Sequence, residues 1–197
     1  MTPIVLVHGG GFSASCWDDV VHRLDGPVLS VDLPGRGAHP APLNSVHIGT
    51  AAASVKDDVD AAGFDEIVLV GHSLAGCSLP ATIGLLGVRV RHAVFVACTV
   101  PENGQSAFDT LSFDIQAHAD SAHDRDDPGV LDQQRAKAMF GNDLTDEQFA
   151  WCCERMVPES LNLVSVRDSA GRVLTWVKAM APWPHSSHRS VGQDGVR

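Results

Sequence analysis

Ser73 is the residue of this chain whose type and surroundings point most directly to chemistry. It stands in Gly71-His72-Ser73-Leu74-Ala75-Gly76, between the apolar run Ile67-Val68-Leu69-Val70 and a stretch from Leu74 to Leu86 that reads as a helix. A serine at such a junction is forced into a sharp turn. The turn lifts its hydroxyl above the edge of a sheet, where it can attack an acyl carbon. The small neighbours give the backbone room. The usual pattern is G-x-S-x-G; here Ala75 holds the last position with Gly76 beyond, and one extra methyl is expected to be tolerated. A second glycine-rich turn, His8-Gly9-Gly10-Gly11, follows another apolar run. One of its N–H groups, with that of Leu74 at the helix start, is expected to form a hole for a developing oxyanion. The glycines fit neither nucleotide-phosphate spacing, G-x-G-x-x-G or G-x-x-x-x-G-K-[ST].

These turns need elements to hold them. Ile4-Val5-Leu6-Val7, Val28 to Leu33, Ile67 to Val70 and Ala93 to Ala97 read as strands, the first and third as continuous β-branched runs buried on both faces. Helices are expected from Ser15 to Leu24, with Trp17, Val20, Val21 and Leu24 on one face, from about Ser45 to Ala62, and from Leu74 to Leu86. Strand and helix alternate, so a parallel, doubly wound α/β sheet is expected. The rhythm breaks at Glu102. Residues 102–166 suggest helices without a strand, an insertion capping the C-terminal edge of the sheet. Residues 1–101 form the expected core, and residues 167–197 a residual strand, Val173 to Val177, with an irregular tail.

Taken together, these landmarks resemble the α/β-hydrolase superfamily, in the branch of the plant methyl esterases, the hydroxynitrile lyases and their bacterial relatives. The likeness rests on the His8-Gly9 strand end with Trp17 downstream, Asp32-Leu33-Pro34-Gly35-Arg36-Gly37, the turn at Ser73, and Val94-Phe95-Val96-Ala97 leading to Pro101. In the insertion it rests on Met139-Phe140-Gly141 and Met156-Val157-Pro158-Glu159-Ser160. The resemblance implies the α/β-hydrolase fold with a helical cap. It implies Ser73 as nucleophile, the N–H groups of Gly10 and Leu74 as oxyanion hole, and no metal or organic cofactor.

A serine nucleophile also needs a base and an acid that orients it. The fold orders these as serine, then Asp or Glu, then His. After Thr175-Trp176-Val177 no carboxylate occurs until Asp194, and no Gly-His follows a later apolar strand. The expectation is a truncated or frame-shifted C-terminus lacking a strand and a helix, roughly 50 residues at typical element lengths. Of the histidines, His8 and His72 read as structural or pocket-lining, His39, His47 and His92 as loop or element-end residues, and His118 and His123 as part of the insertion. His185 and His188 follow the last strand and are the foremost candidates for the base. Weak or absent activity is therefore expected. A bare edge at Val173–Val177 is expected to favour a homo-oligomer or poor solubility.

Composition bounds the rest. The chain has 197 residues, 44% hydrophobic and 19% charged, as for a globular domain. The net charge of −10 argues against nucleic acid or an anionic membrane as partner and leaves a small-molecule substrate. Residues 1–166 hold 9 Lys/Arg and 22 Asp/Glu, a net of −13, whereas residues 167–197 hold 5 and 2, a net of +3. The five cysteines, Cys16, Cys77, Cys98, Cys152 and Cys153, read as thiols of a reducing compartment, and a cytoplasmic location is expected. Phe108, Phe113, Phe140, Trp151 and Met156 are candidates for an apolar pocket wall. Three functions stay open: hydrolysis of a small carboxylic ester through an acyl-enzyme, cyanohydrin cleavage on the same fold, and an inactive relative that binds a small apolar ligand.

Overall fold

A computed structural model describes residues 1–102, 104–110 and 130–165. The expectations at Phe113, His118, His123, Val173 to Val177, His185, His188 and Asp194 lie outside the described residues. Among the described residues four strands, β1 (Ile4–Val7), β2 (Val28–Val31), β3 (Ile67–His72) and β4 (Val90–Val96), form one parallel sheet in the order β2-β1-β3-β4. Val7 pairs with Gly71 across β1 and β3, so both chains leave the sheet side by side at its C-terminal edge. From β1 the chain crosses to β2 on one side, and from β3 to β4 on the other. This reversal opens a crevice between the two turns, the usual place for a ligand in a doubly wound sheet.

The helices are shorter than their sequence pattern. After β1 comes a 3-10 turn, Ala14–Trp17, and a single α-turn, α1 (Asp18–Val21). Helix α2 (Ile48–Ala61) starts on a capping box between His47 and Thr50 and buries Ile48, Ala51, Ala52, Val55 and Val59. Helix α3 (Leu79–Leu86) packs on α2. Val5, Val7, Ile67 and Leu69 join the apolar faces of α2 and α3 in one core.

The helix expected from Leu74 does not begin there. Ser73–Cys77 is a 3-10 turn and the α-helix starts only at Leu79. Pro80 supplies the reason, because it has no N–H to give to the carbonyl four residues back and its ring crowds that turn. It is tolerated in the first turn of α3, where no such bond is needed.

Among the described residues, the stretch from Glu102 to Ser165 holds helices and no strand: α4 (Ala107–Thr110), α5 (Gln133–Phe140), α6 (Asp146–Glu154) and α7 (Leu161–Ser165). Asp132 caps α5, and Thr145 with Gln148 forms a capping box on α6. This segment is tied to the turns at the sheet edge. Val157 N–H donates to the Gly11 carbonyl at 2.8 Å, and the Ser160 hydroxyl lies 2.8 Å from both the Leu43 and Val46 carbonyls.

Candidate active site

Two non-glycine residues among those described have left-handed backbone, Ser73 at φ 52° and Ala97 at φ 46°. Such a conformation costs on the order of 1–3 kcal/mol and persists only where the surroundings enforce it. Both belong to one junction. Ala97 turns the chain at the end of β4 so that Thr99 N–H donates to the Ser73 carbonyl at 3.0 Å. The Cys98 thiol donates to the Gly71 carbonyl at 3.2 Å, and burial pushes that thiol up to about 11, so it stays protonated. Gly76 presses on the Thr99 carbonyl and on Cys98 Cβ with no room for a side chain. The methyl of Ala75 is buried opposite Gly71, where the lack of a side chain makes space for it and for Leu79. The departure from G-x-S-x-G is thus absorbed by the next glycine, which makes the close approach to β4.

The turn after β1 closes on Ser73 from the other side. A Cβ built on Gly9 would lie 2.9 Å from His72 Nδ1 and 3.0 Å from Ser73 Cβ. One built on Gly10 would lie 2.9 Å from Leu74 Cδ2 and 3.3 Å from Leu74 Cβ. At Gly9 the Ser73 Cβ cannot yield without moving the turn. At Gly10 the nearest atom is the end of the flexible Leu74 side chain, so the two turns are in close contact there. Among the described residues neither the Gly10 nor the Leu74 N–H has an acceptor, while the Gly11 N–H donates to Glu159 Oε2 at 2.9 Å. A cavity lined by His8, Gly9, Gly10, Leu74, Ser78 and Glu159 adjoins this contact.

Six histidines, His8, His22, His39, His47, His72 and His92, lie among the described residues, and none of them hydrogen-bonds Ser73. His8 is fully buried; its Nε2 accepts the Leu33 N–H at 3.1 Å and its Nδ1 donates to the Gly9 carbonyl at 2.8 Å. It ties the ends of β1 and β2 and has no nitrogen to spare. Burial lowers it from 6.5 to about 4. The ring of His72 meets Trp17 edge-on, centroids 6.3 Å apart, and burial lowers its pKa too. His39 pairs with Asp58, His47 caps α2, and His22 and His92 are exposed. Among the described residues no group of His, Cys, Asp and Glu could hold a metal ion. No helix among them is long and apolar enough to cross a membrane.

The sequence reading gave no role to Arg36 and Glu159, although both lie in landmarks it singled out. They form a bidentate pair, Nη2 to Oε1 at 2.6 Å and Nη1 to Oε2 at 3.1 Å. Asp32 works beside them, accepting from Ala14 N–H at 2.8 Å and Ala38 N–H at 2.9 Å. Of the pocket candidates, Phe140 meets Phe12 edge-on at 6.0 Å, and Trp151 lies under the Arg155 guanidinium at 3.8 Å. Phe108 and Met156 are half-buried.

The model of the alpha/beta hydrolase family matches residues 4–194. This chain belongs to that family. Sequence relatives place it near plant esterases of the family. It is 38% identical over 112 residues to the "Probable esterase PIR7A" of Oryza sativa subsp. indica, covering 54% of this chain and 43% of that protein. It is 34% identical over 118 residues to a chloroplastic protein of Arabidopsis thaliana provisionally named methylesterase 14, covering 56% of this chain and 33% of that protein. Each match spans less than half the length of the relative. Among solved structures it resembles an extracellular alpha/beta-hydrolase from a Paenibacillus species. The TM-score is 0.76 at 22% identity, covering 87% of this chain and 72% of that one. At that identity the likeness speaks to the fold. In this alpha/beta hydrolase the turn carrying Ser73 and the glycine turn after β1 occupy neighbouring strand ends.

Proposed function

We propose that this alpha/beta hydrolase is a serine esterase acting on small carboxylic esters, with methyl esters the first to try. The observation that carries this reading is the strained Ser73, held at φ 52° where Gly10 and Leu74 meet. Ser73 Oγ attacks the ester carbonyl, and the N–H groups of Gly10 and Leu74 receive the oxyanion. The alcohol leaves, and water then releases the acid from the acyl-enzyme. The base comes from outside the described residues, with His185 and His188 the first to test. A fluorophosphonate should label wild-type protein on the peptide containing Ser73, and Ser73→Ala should abolish both label and ester turnover. Labelling that survives Ser73→Ala overturns the reading.

A second reading, a non-catalytic relative that binds a small apolar ligand, is favoured by one observation: none of the six described histidines hydrogen-bonds Ser73. An oxyanion hole and binding without base or acid leave about 10³–10⁴-fold acceleration over water in triad enzymes. Turnover of a chromogenic ester at that level, unchanged by His185→Ala with His188→Ala, selects this reading.

A further inference from the structure

The carboxylate of Glu159 sits beside the site proposed for an oxyanion, which by charge alone is the wrong place for it. Its Oε2 lies 3.5 Å from where a Gly10 side chain would start. An unscreened negative charge there would repel the charge that develops on the substrate. Yet this carboxylate is the hub of the glycine turn. Oε2 accepts from Gly11 N–H at 2.9 Å and Arg36 Nη1 at 3.1 Å, and Oε1 accepts from Arg36 Nη2 at 2.6 Å and Ser160 N–H at 2.7 Å. Arg36 Nη1 also donates to the Phe12 carbonyl at 2.9 Å, and Val157 N–H holds the Gly11 carbonyl. The Arg36 side chain is 2% exposed and that of Glu159 18%. Pinned at Gly11 and Phe12 on one side and pressed on Ser73 at Gly9 on the other, Gly10 has little freedom left.

We infer that Glu159 and Arg36 act together as positioning residues: Glu159 holds the Gly10–Gly11 turn, and Arg36 neutralises Glu159 so that the turn stays fit for an anion. This rests on the esterase reading for its catalytic consequence, though not for the holding of the turn. The pair works through Gly10 and touches no substrate. A buried bidentate pair is costly to desolvate and contributes little net stability, so its use here is geometric and electrostatic.

Two readouts separate this inference from the esterase reading. The first is amide hydrogen exchange at Gly11, which needs no reactive serine. Glu159→Ala should speed it about tenfold or more, because the N–H loses its acceptor, and Glu159→Gln, which keeps an acceptor oxygen, should speed it less. Unchanged exchange in Glu159→Ala overturns the inference. The second is the rate at which Ser73 reacts with a fluorophosphonate. The Ser73 Oγ–P bond forms, the P–F bond breaks, fluoride leaves, and the hydroxyl proton passes to buffer or base. Arg36→Gln, which bares the carboxylate, should slow this about tenfold or more. The double variant Arg36→Gln with Glu159→Gln, which removes the charge again, should recover most of that loss. A merely structural pair predicts the reverse, with the double variant no faster than the single one, and that result overturns the electrostatic part. Wild type that never reacts at Ser73 sinks the esterase reading, while the exchange readout still decides whether Glu159 holds the turn.

Discussion

Acid should unfasten the turn beside Ser73 through His8. A backbone N–H can only donate, so the Leu33 N–H requires a bare Nε2, and the proton of the neutral ring sits on Nδ1 facing the Gly9 carbonyl. A second proton on Nε2 would point at that N–H and break the link between the ends of β1 and β2. Burial is the main cause that lowers His8 from 6.5 to about 4; the Gly9 carbonyl raises it, Arg36 lowers it, and Glu159 and Asp32 raise it. Because the folded value lies below the unfolded one, the unfolded chain binds more protons between them, and stability rises with pH across that window. The contribution is complete above 6.5 and is lost as pH falls through about 4. At 1.36 kcal/mol per pKa unit the full loss is about 3 kcal/mol, of which about 2 kcal/mol is gone by pH 5. That is a large share of the stability of an ordinary domain.

Urea denaturation of wild type and His8→Asn at matched pH values isolates the effect, since all other groups titrate in both proteins. The variant leaves Leu33 N–H unpaired and is less stable at neutral pH. Its deficit should shrink by about 3 kcal/mol as pH falls from above 6.5 to below 4. An NMR titration of the His8 ring gives the midpoint directly. A midpoint near 6.5, or stability curves that run parallel, would refute the reasoning.

Two substitutions test the packing of the site. Gly9→Ala puts a methyl against His72 Nδ1 and Ser73 Cβ, and the Ser73 side cannot yield without moving the turn. Labelling by a fluorophosphonate should slow about tenfold or more, with a stability loss of about 1–3 kcal/mol; a wild-type labelling rate would show that the turn has slack. Ser160→Ala removes the hydroxyl shared by the buried carbonyl contacts at Leu43 and Val46 and should cost about 1–3 kcal/mol in chemical denaturation. A loss below about 0.5 kcal/mol would show that these carbonyls find other donors.

The strands at Ile4–Val7 and Ile67–His72 and the turns that follow them were legible because everything that makes them is local. β1 is buried from Val5 to Val7, as its continuous β-branched run implies. β3 alternates buried Ile67, Leu69 and Gly71 with half-buried Val68, Val70 and His72, so the expectation of burial on both faces holds for the first strand and not for the third. The turns at both strand ends need glycine. The family likeness was legible for the same reason, as a series of short landmarks. Boundaries were less so. β4 starts at Val90, three residues before the sequence expectation, since Arg91 and His92 are exposed and break the apolar run. The helix at Leu74 divides because Pro80 interrupts its hydrogen bonds, a signal the sequence carried but the apolar pattern hid.

What the tertiary structure alone decided is how the turns are held. Ser73 and Ala97 share one strained junction only because β4 lies next to β3. The sequence implies a structural or pocket-lining His8, but its partner comes only because β2 brings the Leu33 N–H to it. Arg36 and Glu159, 123 residues apart, meet over Gly11. Propensity and spacing act over a few residues, so a sequence can specify a turn and the type of residue in it. The partner that fixes that turn comes from a distant segment, and packing alone selects it.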